Sequence, residues 1–176
     1  MNISLPKDKG MIKKIELKSI SVSIANSQET HCFSANIYVN SKRVGTVRNA
    51  GHGGCDTVHI TDKTITEKML DDFCATVEDL YVSETEKTEY KRLGLDSVSF
   101  DFENLCCRLV DLYLAKKDLK RQLKRKVMFA NNKAIYEVKC LPTEENIEKV
   151  KTRNGMIQVL NELEIDEAVK IFMEIT

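Results

Sequence analysis

The segment Arg48-Asn49-Ala50-Gly51-His52-Gly53-Gly54-Cys55 holds three of the chain's seven glycines and one of its three histidines. Closely spaced glycines reach left-handed backbone angles without steric cost, so successive N–H groups can turn into one concavity that holds phosphate or carboxylate oxygens. Lys42, Arg43 and Arg48, on the run before it, would add positive charge, and His52 would add a hydrogen bond at the rim. The predicted ligand-binding set is therefore Lys42, Arg43, Arg48, Asn49, Gly51, His52, Gly53 and Gly54. A plainer reading of the same glycines is a sharp turn or bulge. No Gly-Lys-Ser/Thr follows and no helical pattern starts at Gly54, so this is not a Walker loop.

The same stretch admits a metal reading. His52, Cys55 and His59 are spaced H-x2-C-x3-H, with His31 or Cys32 available to complete four ligands. Zinc accepts those atoms, and a metal-dependent hydrolase would follow, although the spacing matches no strong zinc pattern. Cys55 as a nucleophile beside His52 or His59 lacks a visible oxyanion scaffold. The carboxylate pairs Asp71-Asp72 and Glu78-Asp79 read as the solvated side of a helix. With no acid/base pair and no cofactor motif, the residues point to binding without turnover.

Charge sums to zero but is unevenly placed: +4 over residues 1–61, −7 over 62–104, +6 over 105–126 and −3 over 127–176. A neutral total excludes a protein that coats nucleic acid by bulk charge and leaves room for a local anion site. The cations from Lys116 to Lys126 are dense enough to bind a nucleotide, RNA or an acidic protein face. The favoured reading is a solvated helix face, partly explained by the preference of a helix C-terminus for cations.

Hydrophobic residues make up 42% of the 176, and charged ones 31%, so the chain can bury a core and is not a disordered tail. No apolar run approaches the roughly 18 residues of a membrane span. Aromatics are 6% and Trp is absent, which argues against a stacking platform. Six cysteines without a C-x-x-C pair are expected to be reduced thiols, with Cys74, Cys106 and Cys107 acting as small buried hydrophobes. A soluble, cytoplasmic protein is the expectation, and its size is compatible with a homodimer.

The elements that must position these residues start with β structure. Ile12 to Ile24 alternates imperfectly, as one strand or two, and the runs 32–39 and 43–48 around Asn40-Ser41-Lys42 predict a hairpin. Thr57 to Ile60 resumes a short strand. Thr64 to Tyr81 has an apolar helical stripe, residues 83–97 read as an exposed acidic connection, and Phe100 to about Arg125 is the longest helix. Within that helix, Leu105, Leu109, Leu112, Leu119 and Leu123 form one stripe. Val127–Ala130 and Ala134–Val138 flank Asn131-Asn132-Lys133 as a second hairpin. A helix capped by Thr143 follows, then Met156–Leu160 as strand or helix, then a terminal helix over Ile165–Ile175. The fold class is α+β: an N-terminal antiparallel hairpin sheet, central long helices, and a C-terminal hairpin with helices, in one domain over 1–176.

The run Phe33-Ser34-Ala35-Asn36-Ile37-Tyr38-Val39-Asn40-Ser41-Lys42-Arg43-Val44-Gly45, followed by Asn49-Ala50-Gly51-His52-Gly53-Gly54, resembles small uncharacterised proteins encoded by bacteriophages and prophages. The likeness extends to the Leu105–Arg125 helix and the Lys133-Ala134-Ile135-Tyr136 hairpin, and departs at Ser41, where the family pattern has Gly. The resemblance implies a setting and no catalytic residue. Accessory phage proteins often act against host defence, by trapping a nucleotide signal or blocking a host protein. The leading expectation is a counter-defence protein that holds a phosphate-bearing small molecule at the Gly-rich loop. An inhibitor of a host protein through charged helix faces is the alternative, and the metal-dependent hydrolase comes third.

Overall fold

The structure, a computed structural model, describes residues 12–77, 82, 84–93, 100–131, 134–154 and 158–175. It is α+β, with an N-terminal antiparallel sheet, helices in the middle, and a C-terminal sheet with helices. The chain divides into two compact units, Met1–Val110 and Asp111–Thr176.

In the first unit β1 (Ile15–Val22), β2 (Cys32–Val39), β3 (Lys42–Ala50) and β4 (Thr57–Ile60) form a four-stranded antiparallel meander in chain order. The imperfect alternation of β1 has a local cause. Ile15 and Leu17 share one parity, Ile20 and Val22 the other, and the register shifts between Lys18 and Ser21 around Ser19 at φ 53°. One extra residue flips the face of everything after it. At the β2–β3 hairpin only Asn40 and Ser41 lie outside the strands, both at positive φ (48° and 69°), which is the backbone of a type I′ turn. Lys42, assigned to the link from sequence, is already in β3. Asn40 Oδ1 accepts from Lys13 N at 2.8 Å and Lys14 N at 3.1 Å, tying the turn to the entry of β1.

Helices α1 (Glu67–Val77), α2 (Glu84–Arg92) and α3 (Phe102–Leu123) follow. Thr66 Oγ1 accepts from Met69 N at 3.3 Å, which caps α1. Residues 84–92 are a helix and not the featureless acidic connection expected. Their pattern lacks an apolar stripe, so hydrophobic periodicity is silent there. Charge pairs support the helix instead, Arg92 with Glu89 at 2.6 Å and Arg108 with Glu86. At the start of α3, Asp101 Oδ1 accepts from Asn104 N at 2.8 Å and Asp71 Oδ1 from Phe102 N at 3.0 Å. Asp71 is thus engaged at a helix N-terminus, where exposed amides favour a carboxylate, and is not merely solvated. Glu78 and Asp79 lie outside the described residues. Along α3, Leu105, Cys106, Val110 and Leu119 are buried, whereas Leu112 and Cys107, expected inside, are exposed.

In the second unit β5 (Val127–Ala130) pairs with β6 (Ile135–Val138) and with β7 (Gln158–Val159), both antiparallel. Every residue of β5 is buried because both of its faces are covered. Met128 and Ala130 join Leu119, Leu160, Ala168 and Val169, while Val127 and Phe129 join Ile147, Val150 and Val159. Ile147 and Val150 come from α4 (Glu144–Asn154), Ala168 and Val169 from α5 (Ile165–Ile175). Thr143 Oγ1 accepts from Asn146 N at 3.3 Å, the expected cap of α4. The ambiguous run near Leu160 resolves as β7 followed by a 3-10 turn, Leu160–Glu162; Met156, Asn132 and Lys133 lie outside the described residues.

Candidate functional site

The Gly-rich segment is organised by Asn49, which is 7% exposed on the inner face of β3. Its Oδ1 accepts from Thr30 Oγ1 at 2.9 Å and from Gly51 N at 2.8 Å. Its Nδ2 donates to Gly54 O at 2.8 Å and to Asp56 Oδ1 at 2.9 Å. The segment is also gripped from the β1–β2 connection: Gly51 O accepts from Gln28 N and Glu29 N, at 2.9 and 3.1 Å, and Gly53 N donates to Thr30 Oγ1 at 3.4 Å. Gly51 and Gly53 have φ of 87° and 78°. A Cβ on Gly53 would stand 2.1 Å from Glu29 Oε2, so a carboxylate already lies over the loop. Two of the four amides expected to converge on an anion are spent inside the protein, and the Glu29 carboxylate beside Gly53 has the wrong sign for phosphate.

The cations expected beside the loop are elsewhere. Lys42 and Arg43 begin β3 and Gly51 follows its end; at ~3.3 Å per strand residue they are about 25 Å or more apart. Lys42 instead pairs with Asp62 at 2.7 Å. His52 is exposed, its Nδ1 lying 3.2 Å from Gln28 Oε1. Among the described residues no three His, Cys, Asp or Glu side chains are grouped to hold a metal ion, so His52, Cys55 and His59 do not form the metal set of the third reading. All six cysteines are free thiols.

On the inner side of the loop is a hollow of about 260 Å³ whose walls include Asn49, Asp56, Asp101, Glu103 and Cys107. Asp56 N donates to Glu103 Oε1 at 3.1 Å. Asp56 Oδ2 is shielded from solvent without a hydrogen-bond partner among the described residues. Burial raises the Asp56 pKa above the usual carboxylate value, against the lowering effect of the Asn49 hydrogen bond; Glu103 and Asp101 add to the rise. This acidic pocket repels anions.

The outer face of the same sheet is different in kind. Cross-strand partners share a face, and the register places Lys18, Asn36, Thr46 and His59 in one row and Ser21, Ser34, Arg48 and Thr57 in the next. Six of these, Ser34, Asn36, Thr46, Arg48, Thr57 and His59, line an open hollow of about 560 Å³ that has no carboxylate in its walls among the described residues. Arg48 and His59 are exposed and have no ion pair or hydrogen-bonded side-chain partner among the described residues. Of the ligand-binding residues proposed from sequence, only Arg48 reaches this hollow, joined by His59 from the metal reading. Its companions went unnoticed because Ser, Thr and Asn on a strand carry no motif. The parity shared by 34 and 36, by 46 and 48, and by 57 and 59 was the signal that could have grouped them.

A second charged surface belongs to the second unit. On α3 and just beyond it, Tyr113, Lys116, Lys117, Lys120, Arg121, Lys124 and Arg125 line a hollow of about 470 Å³. Lys116 pairs with Asp166 and Arg121 with Asp118, and the Lys117 ammonium lies 6.0 Å from the Tyr113 ring centre.

Among the described residues no helix is long and apolar enough to cross a membrane. Comparison with protein-family models, with curated proteins and with solved structures finds no match.

Proposed function

We propose that this protein is an accessory factor of bacteriophage type that acts in the host cytosol by binding a phosphate-bearing small molecule, a nucleotide signal of host defence, without turning it over. The single observation that supports this reading is Arg48. It is a permanently charged, bidentate donor set among Ser34, Asn36, Thr46, Thr57 and His59, with no carboxylate lining the hollow among the described residues. A guanidinium can chelate two phosphate oxygens, and hydroxyl, amide and imidazole groups can satisfy the remaining acceptors. The seat of binding moves accordingly from the Gly-rich loop to the outer face of β2, β3 and β4. With one arginine in the hollow and no hydroxyl hydrogen-bonded to His59 among the described residues, retention is favoured over reaction.

Calorimetry with cyclic nucleotides and ADP-ribose as probes tests this reading. Saturable heat is expected for at least one probe, lost in Arg48→Ala and retained in His52→Ala and Gly54→Ala. No heat from any probe overturns the function. Heat that survives Arg48→Ala but disappears in His52→Ala overturns the sheet-face seat and returns binding to the loop.

A further inference from the structure

The cations at the end of α3 and in the turn after it form two short rows, of which Lys124 and Arg125 lie beyond the last helical residue, Leu123. Lys116, Lys120 and Lys124 succeed one another at i, i+4, and so do Lys117, Arg121 and Arg125 one residue later. Within the helix, from Lys116 to Lys120 and from Lys117 to Arg121, the step is about 6 Å along the axis. Like charges at this spacing repel, so the arrangement weakens the helix that carries it, and the helix dipole compensates only in part. Asp118 and Asp166 answer two of the six charges. Lys117, Lys120, Lys124 and Arg125 make no ion pair among the described residues. The opposite side of the helix is committed to the core, with Leu119 fully buried and Ala115 and Leu123 packed beside it.

We infer that this double row is a docking surface for an acidic α-helix of a protein partner. Two parallel i±4 ridges leave between them a groove that receives an i±4 ridge of a second helix. Carboxylates repeating every fourth residue on that helix would fall in step with the cations. The walls of the groove are largely the methylene stems of Lys and Arg, with the Tyr113 ring near its N-terminal end, so a helix can cover apolar surface as well as meet charge. Within the second unit one cation of this surface already pairs with a carboxylate at a helix start: Asp166, in the first turn of α5, meets Lys116. Zero net charge argues against nucleic acid as the occupant, because no long-range field draws a polyanion in and the attraction must come from local pairing.

Fluorescence anisotropy with the full chain tests the inference. The probes are a labelled Ala-rich peptide with Glu at every fourth position, the same composition shuffled so that no face is acidic, a single-stranded RNA and a DNA duplex. The regular peptide is expected to bind at least about tenfold tighter than the shuffled one and than either nucleic acid, and to weaken as salt rises. Charge reversal at Lys120, Lys124 and Arg125 is expected to abolish binding. The milder pair Lys120→Gln and Lys124→Gln, which adds no new repulsion, is expected to weaken it by roughly tenfold, and Arg48→Ala to leave it unchanged. Thermal midpoints of the variants establish that they fold. Equal binding of both peptides, or tighter binding of either nucleic acid, overturns the assignment, and neither outcome bears on the Arg48 hollow.

Discussion

Asn49 Nδ2 donates to Asp56 Oδ1 across 2.9 Å, and through this bond a buried amide in β3 holds the far end of the Gly-rich loop. Asn49 also accepts from Gly51 N and donates to Gly54 O, so one side chain closes the segment at its start, end and exit. A loop composed like an anion cradle is thereby a stapled turn, and the open surface of the first unit lies on the other side of the sheet.

Truncating that amide should be costly. Asn49→Ala strips partners from Gly51 N in a buried bond and from Gly54 O and Asp56 Oδ1 in part-buried ones. A loss of about 2–4 kcal/mol is expected, since each buried group left unpaired costs about 1–3 kcal/mol. Urea unfolding followed by circular dichroism measures it, and a loss under about 1 kcal/mol shows that water replaces the amide.

Asp56 sets a pH dependence with a definite sign. Its folded-state pKa is raised, chiefly by burial, so the native state holds its proton more tightly than the unfolded chain. Its ionisation therefore costs stability as pH rises through the unfolded value near ~3.9, and the cost is complete above the folded-state pKa. Asp56→Asn keeps an acceptor for Asn49 and removes the charge. Relative to the parent, the variant should gain stability between pH 4 and neutrality and show no such gain at pH 3. Paired denaturation curves across that range decide it; a variant that loses ground as pH rises contradicts the burial account.

Glycine replacements separate geometry from composition. Gly51→Ala places a methyl 2.2 Å from Asn26 O at φ 87°, and the obstacle is backbone that cannot move aside. Gly53→Ala meets the mobile end of Glu29 at φ 78°, whereas Gly54 has open space and no positive φ. Left-handed backbone alone costs an alanine about 1–2 kcal/mol. The expected order of thermal midpoints is Gly54→Ala close to the parent, Gly53→Ala lower and Gly51→Ala lowest. Equal midpoints for the three would show that the loop relaxes freely.

In the second unit Asn161 is the corresponding clamp. Its Oδ1 accepts from Met128 N at 2.8 Å, and its Nδ2 donates to Leu123 O and Lys126 O, both at 2.9 Å. It joins the end of α3 to β5. Asn161→Ala should destabilise by about 1–3 kcal/mol. Hydrogen exchange should show the loss as faster exchange at Met128 N, and an unchanged rate there argues against the clamp.

Thiol chemistry reports burial directly. Cys55 and Cys107 are exposed, while Cys74 and Cys106 are fully buried. Burial pushes the Cys74 thiol up to about 12 and the Cys106 thiol higher still, which removes the reactive thiolate. Brief alkylation of the native protein, read by mass spectrometry of peptides, should label Cys55 and Cys107 and spare Cys74 and Cys106 until denaturant is added. Early labelling of Cys106 would mean that the first unit opens readily.

Local patterning was enough for the two hairpins, the long helix, the Thr143 cap and the terminal helix, because turn residues and apolar periodicity act over a few neighbours and need no partner from afar. Even the phase change in β1, between Leu17 and Ile20, is written in residue types. The α2 segment escaped because a helix held by ion pairs has no apolar period. Tertiary structure alone decided the fate of the candidate site. Whether an amide at Gly51 or Gly53 faces a ligand or a neighbour depends on Asn49, Thr30 and the Gln28–Glu29 backbone, which the sequence does not mark as partners of that loop. Arg48 acquired its companions in the same way: Ser34, Asn36, Thr57 and His59 are distant or ordinary in sequence, and only strand register, a long-range property, sets them around one guanidinium.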